Sequence, residues 1–187
     1  MADLLVAIAG VSGVGKSAAI QYMRENFNGR YEYVKPFITR PLREGETDKV
    51  HLSSQEFDRR VRTDLILPNE FYGSRYAPSL EDIKRVLTEG RVALLDWPVS
   101  VLMRLKQTLD PITVIGVYLL PPDTNVLRQR LANNGRNNML MRLDEAHTEL
   151  YNFHSGCYKG IDAVLTNDGE ISDLAAKIDG FVMEAGK

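Results

Sequence analysis

The chain has 187 residues, 44% of them apolar and 26% charged, with a net charge of −2. This is the composition of one soluble globular domain with room for a small insertion. It excludes a general basic field for nucleic acid or an acidic membrane surface, and a single cysteine, Cys157, excludes an internal disulfide framework and suits a reducing compartment.

Cys157 reads as a small packing residue. No stretch approaches the roughly 18–20 apolar residues that cross a bilayer. The N-terminal run LLVAIAG is short for a signal segment and follows the acidic Asp3. A cytoplasmic location is expected.

The elements alternate along the chain. Leu4 to Ala9 is a continuous apolar run, as in a strand buried on both faces. Ser17 to Phe27 has helical spacing, with Ala18, Ile20, Met23 and Phe27 expected inward. The segment from Tyr31 to Pro78 has few helical periods and reads as short strands and loops, an inserted lobe. Glu81 to Glu89 is a helix closed by Gly90, and Val92 to Leu95 a buried strand ending at Asp96. Val114 to Leu120 is a strand stopped by Pro121 and Pro122, and Asp123 caps a helix reaching Ala132. Met139 to Tyr151 is helical, Ala163 to Leu165 a late strand, and Ile171 to Glu184 a closing helix. Strand–helix alternation of this kind predicts an α/β domain with a largely parallel central sheet.

GVSGVGKS, Gly10 to Ser17, fits G-x-x-x-x-G-K-[ST] in full. Its glycines, Gly10, Gly13 and Gly15, permit backbone shapes closed to other residues. The backbone N–H groups through Ser12 and Val14 then turn inward at a helix N-terminus and cradle phosphate oxygens. Lys16 brings a point charge to the terminal phosphates, and the Ser17 hydroxyl is a ligand for Mg²⁺. The strand before and the helix after are the context this loop requires. A guanine-reading N-K-x-D is absent and the chain is short for a motor. A small ATP-dependent phosphotransferase is the leading class.

Further motifs follow in order: ITRPLREGE, SRYAPSLEDIKRVLTEGRVALLDW, LLPPDTNVLRQRL, RLDEAHTEL and TNDG. With GVSGVGKS they resemble the guanylate kinase family across nearly the whole chain. The resemblance implies a P-loop three-layer α/β fold: a core at about 1–34 and 80–187, an acceptor-binding lobe at about 35–79 and a short lid at about 132–143. It implies Mg·ATP as phosphoryl donor and a phosphomonoester acceptor, GMP by default. Lid closure excludes water and completes a cage of cations around the moving group.

Residue by residue, the resemblance implies that Arg40 and Arg43 hold the acceptor phosphate, a task suited to planar guanidinium groups. Tyr76 contacts the same phosphate. Asp96 is a Walker-B-like carboxylate that helps hold Mg²⁺; as a strand-end residue it also reads as a helix cap. Arg130 and Arg142 match lid arginines that neutralise the transferring phosphate. Asn167 matches a residue near the adenine edge, and also reads as a turn asparagine before Asp168 and Gly169.

The departures concentrate where guanine is read. The family's serine is Pro36, its tyrosine falls on Val50, its base-binding glutamate on Leu67, its Ser/Thr on Pro78, and the acid two residues after Asp96 is Pro98. The lid's R-G reads Asn134-Gly135, with Arg136 as a replacement. A literal YGS at Tyr72, Gly73 and Ser74 offers a second register, in which Ser74 contacts the base and Glu70 supplies a carboxylate. The ungapped register favours Tyr76. HLSSQEF, VLRQRL, NGRNN and TNDG also look similar to ribose 1,5-bisphosphate phosphokinase, a relative of the same fold. A non-catalytic guanylate-kinase-like binding module is the reading of another class, and the intact loop stands against it. The expected partners are ATP and a small phosphorylated acceptor, with a monomer or homodimer as the assembly.

Overall fold

A computed structural model describes residues 3–71, 73–133 and 139–185. Its elements are β1 (Leu4–Gly10), α1 (Lys16–Asn26), β2 (Tyr31–Tyr33), β3 (Phe37–Ile38), β4 (Val50–His51), α2 (Ser54–Val61), β5 (Asn69–Phe71), β6 (Ser74–Ala77) and α3 (Leu80–Thr88). There follow β7 (Val92–Asp96), a 3-10 turn at Val99–Val101, α4 (Leu102–Leu109), β8 (Thr113–Leu120), α5 (Thr124–Asn133), α6 (Met139–His154), β9 (Ala163–Thr166) and α7 (Ile171–Ala185).

Five strands form one sheet in the order β2-β7-β1-β8-β9, every pair parallel. β1 shows why. Leu4, Val6 and Ile8 pack in one apolar cluster with α1, α5, α6 and α7 residues; Leu5 and Ala7 pack in another with α3 and α4 residues. Side chains alternate across a strand, so an unbroken apolar run can only be covered on both faces. The result is the expected α/β/α layering.

β1 is followed by β2 on one side of the sheet, while the later strands β8 and β9 build the other side. The strand order therefore reverses beside β1, and a crevice opens past the C-terminal ends of β1 and β7. The loop from Gly10 to Ser17 and the strand-end Asp96 both meet there.

A second sheet, β4-β3-β6-β5, carries the lobe. Its hairpin pairs Glu70 with Arg75 and Phe71 with Ser74, and β6 pairs antiparallel with β3, Tyr76 opposite Ile38. Phe37, Phe57, Leu65 and Ala77 form its small core.

Several details differ from expectation. Ala19, not Ala18, faces inward on α1; Ala18 is exposed on the crevice wall, because the helix begins at Lys16. α2 stands where only strands and loops are expected. Ser53 caps it, its side chain accepting from the Glu56 N–H at 3.1 Å. α4 buries Leu102, Leu105 and Leu109. β2 joins the core sheet, inside the core bounds of 1–34 and not in a lobe read from Tyr31 onward. Cys157 is exposed and so does not pack the interior. Asp123 caps α5 as expected, accepting from the N–H groups of Asn125 at 2.7 Å and Val126 at 2.9 Å. Among the described residues, no helix is long and apolar enough to cross a membrane.

Candidate active site

The crevice has a volume of about 830 Å³. On its floor the chain leaves β1 through Gly10 at φ +136° and enters α1 through Gly15 at φ +110°. Both are left-handed values that favour glycine. A Cβ at Gly10 would lie 2.5 Å from the Leu119 carbonyl oxygen, and one at Gly15 would lie 2.4 Å from Asn167 Nδ2. The backbone of β8 thus excludes a side chain at Gly10, and one at Gly15 would have to displace the Asn167 amide.

Asn167 is more than a turn residue. It is buried, and its side-chain N–H donates to the Val14 carbonyl at 2.7 Å. This bond ties the segment after β9 to the loop. Arg130 reaches the same place from α5, with its guanidinium 3.5 Å from the Val14 carbonyl oxygen and 3.4 Å from that of Asn167. Arg142, from α6, donates to the Ser12 hydroxyl. Both arginines predicted for the lid therefore stand on the crevice. Asn134, Gly135 and Arg136 lie outside the described residues.

Lys16 folds back over its own loop, donating to the Gly10 carbonyl at 2.7 Å and the Val11 carbonyl at 3.3 Å. Its Nζ lies 3.9 Å from Asp96 Oδ1. Register explains the meeting: Asp96 pairs with Ile8, two residues before Gly10. Asp96 caps no helix; the turn that follows starts after Pro98 without a side-chain cap. Ser17 lines the crevice beside them. A glycine cradle that a Cβ would crowd, a lysine, a hydroxyl and a carboxylate together fit a magnesium-bound nucleoside triphosphate.

Glu149 also lines this end. It accepts a hydrogen bond from the Tyr118 hydroxyl at 3.0 Å. Burial pushes its carboxyl up from the ordinary range, with the Lys16 charge opposing the shift.

The lobe supplies the opposite wall. Arg40 meets Glu46 through two bonds, each 2.6 Å. The Arg43 backbone N–H donates to Glu46 at 3.0 Å. The Arg40 guanidinium, foremost, holds the Glu46 carboxyl down at about 2. The Tyr76 phenol acts on the Arg40 guanidinium after the larger effects of Glu46 and burial, and Arg40 Nε is buried without a partner among the described residues. Arg40, Arg43 and Tyr76 all line the crevice. An orphaned, charged donor beside a second arginine and a phenol matches an anion subsite.

The second register fares differently. Ser74 is buried and absent from the crevice wall, which at that rung of the hairpin is formed by its partner Phe71. Glu70, one residue along β5, points with Arg75 into a separate hollow beside Phe57 and Pro68. The period-two alternation of the strand puts Phe71 and Glu70 on opposite faces. Tyr72 lies outside the described residues. Ser74 as a base contact and Glu70 as a replacement carboxylate are therefore not supported, whereas Tyr76 stands where its register puts it.

The other departures sort in the same way. Leu67 packs into the core cluster with Trp97, and Val50 into the lobe core. Pro78 is buried. Only Pro36 and Pro98 reach the crevice. Tyr33, Asp48, Lys49, Phe71 and Trp97 also line it, and sequence reasoning did not find them. The apolar run toward Asp96 hints at Trp97, since the strand must end at the crevice. Asp48 and Lys49 sit in a loop with no periodic signal.

Comparison with known proteins agrees with this geometry. A family model described as Guanylate kinase matches residues 3–185. A guanylate kinase of Chlorobium luteolum is 33% identical over 171 residues, covering 88% of this chain and 83% of its own. A crystal structure of guanylate kinase from Anaplasma phagocytophilum superposes with a TM-score of 0.73 at 19% identity, covering 98% of this chain and 86% of that one. The SH3-kinase fragment of tight junction protein 3 superposes with a TM-score of 0.57 at 16% identity, covering 97% of this chain and 57% of that one. These last two show the fold. With the family model spanning nearly every residue, and the loop, the strand-end carboxylate and the arginine pair assembled on one crevice, the chain belongs to the guanylate kinase family and is a phosphotransferase.

Proposed function

We propose that the protein transfers the γ-phosphoryl group of Mg·ATP to a phosphomonoester, with GMP as the default acceptor (GMP + ATP giving GDP + ADP). One observation carries the proposal. The loop from Gly10 to Ser17 and the Arg40, Arg43 and Tyr76 side chains line one and the same crevice. In-line phosphoryl transfer asks for that arrangement above all.

In this reading Gly10 to Ser17 hold the donor's phosphates, and Lys16 leaves the loop carbonyls to meet them. Ser17 and Asp96 would hold Mg²⁺, which when bound neutralises charge on the phosphates. Arg40, Arg43 and Tyr76 orient the acceptor phosphate. It is the nucleophile and is already ionised near neutral pH, so no side chain need act as base. Arg130 and Arg142 steady the transferring group, and Asn167 keeps the loop in shape beside the adenine end. The division into a core at 1–34 and 80–187, a lobe at 35–79 and a lid at 132–143 follows the same reading, as do a cytoplasmic location and a monomeric or homodimeric state.

Coupled ADP release tests the proposal, with GMP, dGMP, AMP, CMP, UMP and ribose 1,5-bisphosphate compared under one set of conditions. Preference for GMP is expected, with Lys16→Ala losing at least about 100-fold in kcat. Turnover of the sugar bisphosphate with GMP inert would overturn the acceptor. Absence of turnover with every acceptor, despite ATP binding, would return the chain to the binding-module class.

A further inference from the structure

Five positions at which the family resemblance places guanine readers carry Pro36, Val50, Leu67, Pro78 and Pro98. None of the five has a side chain that hydrogen-bonds. Two reach the crevice and three are packed elsewhere. A site that prefers one base must nevertheless present polar groups to it, because discrimination comes from leaving the wrong partner's groups unpaired.

Among the described residues, the lobe contributes Pro36, Arg40, Arg43, Asp48, Lys49, Phe71 and Tyr76 to the crevice wall. Asp48 is the one carboxylate in that set. A chain of ion pairs fixes where it stands. Arg40 holds Glu46 at 2.6 Å, Glu46 meets Lys49 at 3.3 Å, and Lys49 meets Asp48 Oδ2 at 2.8 Å. The chain ties Asp48 to Arg40 through side-chain contacts, and Asp48 lines the same crevice as Arg40, Arg43 and Tyr76. Tyr33, another crevice residue, feels the Asp48 charge, after the larger effects of burial and of Asp96.

We propose that Asp48 is the specificity-determining residue of the acceptor site, reading the adjacent N1–H and N2–H donors of guanine. The inference rests on the phosphotransferase reading above. The chemistry fits on three counts. An ionised carboxylate only accepts, through two oxygens with about four lone-pair sites. Guanine presents two neighbouring donors on its Watson–Crick edge, while adenine presents a donor beside an acceptor. Lys49 engages one oxygen and orients the group without exhausting its capacity. The surrounding Tyr33, Pro36, Phe71 and Trp97 offer flat or apolar faces to a base.

The test compares kcat/KM for GMP, IMP, AMP and ribose 1,5-bisphosphate in the full-length protein and in Asp48→Asn and Asp48→Ala. IMP keeps N1–H and lacks the 2-amino group. The unaltered protein is expected to favour GMP over IMP and AMP. Asp48→Asn should lower kcat/KM for GMP about 10- to 100-fold, the loss of a charge-assisted pair. Because an amide pairs a donor with an acceptor, the same variant should move the GMP-to-AMP ratio toward AMP, and Asp48→Ala should flatten the GMP-to-IMP ratio. The KM for ATP should not move in either variant, which separates base reading from damage to the fold. Unchanged ratios in both variants, with GMP still turned over, would overturn Asp48 alone. GMP inert in the unaltered protein would overturn the acceptor reading, and Asp48 with it.

Discussion

Replacing Glu46 by glutamine isolates the contact that organises the acceptor wall. The carboxylate bridges both terminal nitrogens of Arg40, accepts from the Arg43 backbone and forms an ion pair with Lys49. Its pKa falls from the ordinary carboxylate value of 4.5 to about 2, chiefly through the Arg40 bonds. At about 1.4 kcal/mol for each tenfold change, that depression corresponds to about 3 kcal/mol of folding stability. Solvent at the crevice edge reduces this to about 2 kcal/mol. The sign follows from the direction. A carboxyl held below its unfolded value stabilises fully above about pH 4.5, and the contribution is lost as the pH falls toward 2. Urea titrations of the unaltered protein and Glu46→Gln at several pH values read it directly. The difference should be greatest near pH 7, and more than half of it should be gone at about pH 3. A difference that stays constant across this range would refute the ion pair as its source, leaving only the shape of the side chain.

Three further substitutions probe the two ends of the crevice. Arg40→Ala should raise the acceptor KM by about 10- to 100-fold and leave the KM for ATP close to its original value, since it removes a charged anchor from one wall only; equal changes in both constants would sink the division of labour. Gly15→Ala should abolish nucleotide binding measured by calorimetry, because its Cβ would fall 2.4 Å from Asn167 Nδ2 at φ +110°; retained affinity would mean the loop relaxes without cost. Asn167→Ala should destabilise the fold by about 1 kcal/mol, the loss of the shorter of two hydrogen bonds to the Val14 carbonyl, and weaken ATP binding in parallel; a stable variant with normal ATP affinity would make it a bystander.

What the sequence reveals divides by range of interaction. The phosphate loop is legible because its requirements are local: glycines at fixed offsets, a strand before and a helix after. The continuous apolar runs of β1, β7 and β8 are legible because a strand covered on both faces has no polar side to show. α2 and α4 had signals that were there to be used. Ser53 with Glu56 three residues on is a capping pattern, and Leu102, Leu105 and Leu109 follow helical spacing. α2 is masked by its charge, since Phe57 is its single buried residue. Asn167 clamping Val14 is invisible in one dimension, because 153 residues separate the partners.

The choice between Tyr76 and the literal YGS shows what strand pairing adds where a motif leaves two registers open. The YGS register keeps the hydroxyl but needs a gap, and the ungapped Tyr76 register puts Pro78 where the hydroxyl belongs, so the motif alone divides. Strand pairing separates the two positions. Tyr76 lies opposite Ile38 on β3, two residues before Arg40 in the chain, and both Tyr76 and Arg40 line the crevice. Ser74 lies opposite Phe71 at the end of the hairpin, where the larger ring forms the wall and the serine is covered. The arginines and tyrosine proposed as the phosphate anchor therefore stay on the crevice, while three of the five positions proposed for base reading pack elsewhere. A crevice that retains the anchor and loses those hydroxyls and carboxylates has to recognise its acceptor through other groups. On the lobe side, Asp48 is the carboxylate positioned to do so.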